Sequence, residues 1–439
     1  MHSEPHRSQS MASRSIAVVG SGVAGLTAAY ILSRHNRVAL YEADARLGGH
    51  AHTHLVDGDD GERIAVDSAF LVYNDRTYPT LCRLFSELGV LGTDTDMSMS
   101  VRNDATGLEY AGARGVGGLF ASRRTLHPRH LLMLAEVRRF HAAATAVLQR
   151  PDSDDLEPLA DFLEYHGFSG YFTTNFIAPL VAAVWSCPAE DALSYPARYL
   201  FTFLEHHGML SVFGSPRWRT VSGGSITYVQ RIANQLDEVH TSATVQSLQR
   251  VPDGVLLNAE GLPQRHFDAA VIAVHPDQAL RLLARPTALE TRVLSALPYS
   301  TNHAQLHTDE SMLPQHRRAR ASWNYRIATA RPDVLVTYDI SRLMRIDSPR
   351  RFLVTLGGSD LIDPRCVLAE MTYQHPLFTP QSVAAQRRLP ELDDERIVFA
   401  GAYHGWGFHE DGAAAGLRAA NRLGSHWTSC SNDDRAYTC

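Results

Sequence analysis

A short apolar run, Ser15 to Val19 (SIAVV), leads directly into Gly20-Ser21-Gly22-Val23-Ala24-Gly25, and an Ala- and Leu-rich segment continues to about Arg34. No other feature of the chain restricts its fold as much. The run reads as a buried parallel strand and the segment from Val23 as a helix, so the glycines stand at a strand-to-helix turn. The first glycine permits the tight turn, the second lets a pyrophosphate approach the backbone, and the third lets helix and strand pack closely. Arg37 to Tyr41 (RVALY) is a second strand, and Glu42 ends it 22 residues after Gly20. A carboxylate there accepts hydrogen bonds from a ribose diol and repels a 2′-phosphate. The free N–H groups and partial positive charge of a helix start suit the phosphates. This βαβ unit predicts a dinucleotide site at Gly20, Gly22, Val23, Ala24, Gly25, Glu42 and Ala43. The turn alone fits FAD and NAD equally.

The bulk of the chain excludes several other functions. With 41 basic and 47 acidic residues and a net charge of -6, it has no basic field for nucleic acid. None of the basic residues is lysine, which removes P-loop and Schiff-base chemistry. Cys82, Cys187, Cys366, Cys430 and Cys439 form no C-x-x-C pair, so a disulfide scaffold, a zinc ribbon and a dithiol centre are all excluded, and a reducing cytoplasm is expected. Residues 1–12 are polar and read as a disordered tail, not a signal peptide. The apolar run Phe176 to Trp185 is too short to cross a bilayer.

At 439 residues the chain is long enough for two domains. Helices are expected at Arg76 to Leu88, Pro128 to Gln149 and Leu156 to Trp185, which makes a helical block to about His207. The α/β texture returns with a strand at Trp218 to Val221, a Gly223-Gly224 turn, a helix from Ser225 to Leu236, a hairpin at Ala243 to Arg250 and Gly254 to Asn258, and a buried strand at Ala269 to Val274. Alternating strands follow at Asn302 to His307, Ala321 to Ile327, Val334 to Ile340, Phe352 to Leu356 and Val367 to Thr372. A last strand (Arg396 to Ala400) and helix (Gly412 to Trp427) close the chain. The economical reading is one domain built from 13–75, 215–285 and 391–428, another inserted in two pieces as 76–214 and 286–390, and a tail at 429–439.

Further motifs carry a family resemblance. Arg46 and Gly48-Gly49-His50-Ala51-His52-Thr53 follow Glu42, Val66-Asp67-Ser68-Ala69-Phe70 comes next, and Phe399-Ala400-Gly401 leads through Tyr403, His404, Trp406 and Phe408 to His409-Glu410-Asp411-Gly412. These segments resemble the FAD-dependent superfamily of amine oxidases, phytoene desaturases and protoporphyrinogen oxidases, across nearly the whole chain. GGHAHT, HTDESMLP (His307 to Pro314), ASWNY (Ala321 to Tyr325), YQHP (Tyr373 to Pro376) and YHGWGFHEDG (Tyr403 to Gly412) look like its predicted NAD/FAD-binding branch. The resemblance implies an α/β fold: a Rossmann-like, glutathione-reductase-type FAD domain with a mixed sheet and βαβ start, plus an inserted α+β substrate domain. It implies FAD, held in addition by Arg46, Gly48, Gly49, His50, Phe70, Leu71, Val72, Val245, Gly401, Phe408, Glu410 and Asp411; with no cysteine in the C-terminal flavin loop, the FAD is expected to be non-covalent. Two departures stand out: His50 replaces the family's usual Arg, and a glycine usual near Ala69 is missing.

The family's amine oxidases generally hold a water at the flavin with a lysine, and this chain has none. Hydride transfer to a flavin needs positioning more than acid–base groups. The branch often accompanies enzymes that methylate unsaturated fatty acids, which implies oxidation or desaturation of a lipid-like, apolar substrate. An amine or amino-acid oxidase is the alternative, and a non-catalytic flavin-binding partner of a lipid-modifying enzyme is a third. Tyr403, His404 and Trp406 are the candidate substrate-side residues, with His404 placed for proton transfer. His50, His52 and His54 alternate like metal ligands, but their glycine loop favours packing on the phosphate side, and no metal is expected. His307, Trp323, Asn324, Tyr325 and His375 are expected in the strand-rich roof as core residues. The block from Phe172 to Trp185 is either ordinary core, an acyl tunnel or a membrane-facing mouth. Peripheral membrane contact fits this reading, and the oligomeric state is left open.

Overall fold

A computed structural model describes residues 13–58, 61–151, 156–211, 215–329 and 334–427. The tails expected at 1–12 and 429–439 fall outside these residues, as do Cys430 and Cys439. Ser15–Val19 is the central strand of a five-stranded sheet, in the order Glu238–His240, Arg37–Tyr41, Ser15–Val19, Ala269–Ile272, Ile397–Phe399. Each neighbouring pair is parallel. Both faces are covered, which is why these strands are apolar runs without alternation. Ile16 and Val18 face the larger hydrophobic core, whereas Ala17 and Val19 face a smaller one. An antiparallel meander (Val245–Val251, Gly254–Ala259, Arg265–Phe267) supplies part of that smaller core.

The second sheet has seven strands and is mixed. Its order is Val367–Pro376, Tyr299–His307, Leu353–Leu356, Val336–Asp339, Trp323–Ile327, Met99–Asn103, Leu108–Gly112. The last two strands come from the stretch expected to be helical. Met99–Asn103 pairs parallel with Trp323–Ile327, and Leu108–Gly112 folds back on it. Their turn carries a local signal that periodicity passes over. The Asn103 side chain accepts hydrogen bonds from the Ala105 and Thr106 N–H groups, and Gly107 adopts φ 68°.

The expected helix from Leu156 to Trp185 is broken into Leu159–Tyr165, Gly170–Phe172, a π turn over Thr173–Ile177, and Ala178–Trp185. Gly167 (φ 63°) and Ser186 (φ 53°) bound these pieces in the left-handed region. The helix expected from Arg76 starts at Pro79, where a proline costs no hydrogen bond. The last helix starts at His409, three residues before the expected Gly412, and ends at Arg422. A short hairpin, Thr53–Asp57 with Arg63–Asp67, carries the GGHAHT and VDSAF segments and was not anticipated.

The closing helix (His409–Arg422) lies directly on the opening helix (Val23–Leu32). Glycines set the separation. A Cβ on Gly412 would press on Val23, and one on Gly416 would overlap the Ala24 carbonyl and sit 3.0 Å from the Ala28 nitrogen. Gly416→Val should therefore part the two helices. We expect a loss of about 3 kcal/mol or more in urea-induced unfolding, with weakened cofactor retention, because the clash is with backbone and cannot relax by a rotamer change.

Candidate active site

At the glycine turn, Gly20 holds φ 98° and its N–H donates to the Tyr41 carbonyl at 2.8 Å. A Cβ on Gly20 would meet the Ala273 carbonyl, and one on Gly25 would overlap the Gly20 carbonyl. Gly22 is different: its Cβ would meet no protein atom within 4 Å. Nothing in the fold demands glycine there, so the demand comes from a ligand that touches the backbone. The opening helix has no side-chain cap and no acidic residue in its first turn. Its first N–H groups are left for an anion, and Gly22, Val23 and Ala24 line the cavity in front of it.

Glu42 is already oriented. Its Oε2 accepts from the Ser21 N–H at 2.9 Å and the Ser21 hydroxyl at 2.5 Å, and its Oε1 accepts from the Asp44 N–H at 3.0 Å. Lone-pair capacity is left on Oε1 for a ribose hydroxyl. The Ser21 hydroxyl also accepts from the Gly48 N–H at 3.0 Å, which ties the two glycine loops together. Arg46 donates to the Gly49 carbonyl at 2.8 Å and braces the second loop. Gly49 and His50 line the cavity, whereas Gly48 sits behind them in a left-handed turn (φ 110°). His50 is half-buried, its Nε2 is buried without a partner, and its ring lies among Tyr373 (5.2 Å), His375 (5.3 Å) and His275 (6.5 Å). Burial and the neighbouring imidazoles hold its pKa well below the usual value. An unpaired buried nitrogen facing a cavity is what an absent hydrogen-bonding group leaves behind. His52 and His54 instead bond to the Tyr373 hydroxyl (3.0 Å) and the Ser68 hydroxyl (2.9 Å).

Asp67, buried completely, accepts from the Ser225 N–H and hydroxyl and from the Thr53 hydroxyl. Burial pushes it up to about 6, against the opposing effect of those donors. It locks the second glycine loop to the Gly223-Gly224 turn, a role the sequence did not reveal. Phe70, Leu71 and Val72 line the cavity beyond it, and Phe70 stacks on His409 with ring centres 3.6 Å apart. Ala43 and Val245 line the other end.

The C-terminal loop corrects several expectations. Gly401, Tyr403 and Phe408 line the cavity, but His404 and Trp406 do not. A turn over Ala402–His404 tucks the Tyr403 and His404 rings together, 4.8 Å apart. His404 is buried against the Arg418 side and lowered to about 3, and Trp406 packs on Tyr199, Phe203 and His206. The loop backbone is clamped by Gln386, which donates to the Tyr403 and Gly405 carbonyls, and by the Tyr199 hydroxyl on Gly405. His404 stands off the cavity lining beside Tyr403, and its Nε2 has no hydrogen-bond partner among the described residues. Glu410 and Asp411 also point away from the cavity. Glu410 accepts from the Thr80 and Leu81 N–H groups at 3.0 and 2.9 Å, capping the helix Pro79–Leu88. Asp411 accepts from the Phe408 N–H at 2.9 Å and caps its own helix, and burial raises it to about 7. Gly25 likewise serves packing alone. His409 is the residue of this motif that reaches the cavity.

One cavity of about 870 Å³ joins these parts. Beyond Phe70 and His409 it ends among Met97, Met99, Leu180, Val184, Trp323, Tyr338 and Leu356. Trp323 belongs to the ASWNY segment, where a core role was expected, and Leu180 and Val184 to the block Phe172 to Trp185, whereas no motif marked Met97, Met99, Tyr338 or Leu356. The charged lining residues are Glu42, Asp44, Arg46 and Arg281, all at the dinucleotide end. The model of the family described as flavin containing amine oxidoreductase matches residues 23–361. The chain belongs to this family. It binds FAD and is an FAD-dependent oxidoreductase. Coproporphyrinogen III oxidase of Mycobacterium leprae (strain TN) is 27% identical over 314 residues, which is 65% of this chain and 66% of that protein. Among solved structures, the CLA-producing fatty acid isomerase from P. acnes superposes with a TM-score of 0.69 at 15% identity, covering 94% of this chain and 99% of that one. Putrescine oxidase bound to putrescine does so at 0.65 and 16%, with 94% and 99% covered. At such identity these two structures speak for the fold alone.

Two outcomes test the site. Gly22→Ala should leave the unfolding free energy of the FAD-free protein within about 0.5 kcal/mol of the parent, since the methyl meets no protein atom. It should nevertheless weaken FAD at least about tenfold in fluorescence titration, through lost backbone approach. His409 gives the second. Burial holds it at about 3, whereas the unfolded imidazole titrates near 6.5. Between those values the unfolded chain binds the extra proton, so stability rises with pH and is lost as pH falls. His409→Asn should flatten that acid limb by roughly 1.4 kcal/mol per pH unit in urea titrations.

Proposed function

We propose that the enzyme oxidises or desaturates a neutral, lipid-like substrate. FAD supplies the hydride acceptor; the protein's own residues supply position and dryness. The observation that carries this reading is the apolar end of the cavity, which is lined by no Arg, Asp or Glu, in a chain without Lys. A cationic amine entering there would lose its hydration without a carboxylate to receive it, and an amino acid would lack an arginine for its carboxylate. Met97, Met99, Leu180 and Val184 offer instead a flexible apolar wall, suited to an alkyl or isoprenoid chain. Trp323 and Tyr338 meet edge to face at 5.2 Å and close one side as a rigid pair. The polar side chains at this end are uncharged: Ser98, Ser186, the Tyr338 hydroxyl and His207, which burial lowers to about 4. With His409 and His50 also neutral, the pocket holds imidazoles that hydrogen bond without adding charge.

Anaerobic mixing of the holoenzyme with candidate substrates tests the reading directly. Unsaturated acyl esters or isoprenoids should bleach the flavin absorbance, and primary amines should not; bleaching by amines alone would overturn the proposal. Met99→Glu should retain FAD but lower kcat/KM for the apolar substrate by about a hundredfold or more, because it buries a charge where the substrate needs hydrocarbon.

A further inference from the structure

A surface next to the apolar end of the cavity combines exposed hydrocarbon with unpaired positive charge. Met99 lines the cavity and pairs across the hairpin with Gly112. The chain leaves that hairpin into the helix Gly115–Leu119, a 3-10 turn over Arg123–Leu126, and the long helix Pro128–Leu148. Along this path Val116, Leu126, Leu131 and Leu132 are 73%, 66%, 48% and 57% exposed. Exposed apolar residues scattered singly are ordinary, but three leucines and a valine exposed within residues 116–132 need an explanation. The face is rigid. The buried His130 packs against Tyr110 and Phe120, and its Nε2 lies 3.2 Å from the Leu119 carbonyl, joining the first turn of the long helix to the short one. The turn over Arg317–Ala319 borders it, with Arg318 reaching Gly117.

The charge around these side chains has one sign. Arg123, Arg124, Arg129, Arg317 and Arg318 are exposed, and none has an ion-pair partner among the described residues. The nearby acids are already engaged: Asp96 with Arg114 at 3.1 Å, Glu109 with His316 at 2.7 Å, and Glu136 with Ser169 at 2.6 Å. The chain as a whole carries a net charge of -6, so this basic rim runs against the overall balance.

We infer that this face docks on an anionic lipid bilayer, Val116, Leu126, Leu131 and Leu132 entering the headgroup layer while the five arginines meet lipid phosphates. Exposed hydrocarbon supplies the inserted area, and the arginines supply the attraction to anionic lipid that a neutral membrane lacks. A protein partner would have to be both acidic and apolar over the same face, whereas a bilayer presents that combination everywhere. The docked face would lie beside the apolar end of the cavity. The inference stands whatever the substrate, because docking is read without turnover.

The test is sedimentation of the FAD-loaded full chain with vesicles of phosphatidylcholine, with and without phosphatidylglycerol. The protein should pellet with the anionic vesicles only, and added salt should release it. The double variant Arg123→Glu/Arg124→Glu should lose at least about tenfold in partitioning, since each charge contributes separately at the surface. Leu131→Ser/Leu132→Ser should also lower it at low salt, with release at a lower salt concentration than the parent, because inserted hydrocarbon adds to the electrostatic attraction. Unchanged flavin absorbance per chain shows that both variants are folded. Failure of the parent to pellet with anionic vesicles, or equal pelleting by the parent and both variants, would overturn the inference. So would a parent dimer that the leucine variant converts to monomer without any vesicle binding, because the face would then belong to a second copy of the chain.

Discussion

The crossing of the opening helix with the closing helix is the contact on which the rest depends. Gly412 and Gly416 let the two backbones approach until Val23, Ala24 and Ala28 fill the space between them. That approach brings the end of the chain to its beginning. Ile397–Phe399 joins the sheet beside Ala269–Ile272, and His409 arrives opposite Phe70. Larger residues at the crossing would still allow two helices. They would not allow the second glycine-rich loop to sit against the cavity opened by the first.

Carboxylates then fasten the pieces. Asp67 gathers donors from Thr53 and Ser225, Glu410 caps a helix that starts at Pro79, Asp411 caps its own helix, and Glu42 is held by Ser21. Each is satisfied mainly by backbone N–H groups or hydroxyls, and of the four only Glu42 lines the cavity, at its dinucleotide end. A buried acid left without such donors costs several times more than the bonds return. The imidazoles follow the same logic in reverse. Burial holds His50, His207 and His409 uncharged, so the region around the flavin site is polar in places but close to neutral.

The apolar end of the cavity carries none of the charged residues that line its dinucleotide end. Amine chemistry needs a place for a charged or freshly deprotonated nitrogen, and the walls here offer sulfur, alkyl and aromatic groups. The same hydrocarbon character continues outside, beside the hairpin that carries Met99, where it is edged by arginine. Cavity and surface are thus matched in kind, although they are built from different segments.

The amino-acid sequence by itself determined the first strand, the Gly20 to Gly25 turn, the opening helix and Glu42. These depend on residues adjacent in the chain, where backbone freedom and local period decide the outcome. The recurrence of glycine at 48–49 and 401–412 was equally readable, and with the resemblance it was enough to point to FAD. Tertiary structure alone decided which side of each motif faces the ligand. His404 and Glu410 stand in the right segment, yet the turn Ala402–His404 sets the first beside Tyr403 and off the cavity, and the closing helix turns the second onto Thr80 and Leu81. It also decided that Met99, Leu180, Trp323 and Tyr338 share one wall, because only the parallel pairing of Met99–Asn103 with Trp323–Ile327 brings distant segments together. A strand shows its period in the sequence but not its neighbour, and the apolar end of this cavity is made of neighbours.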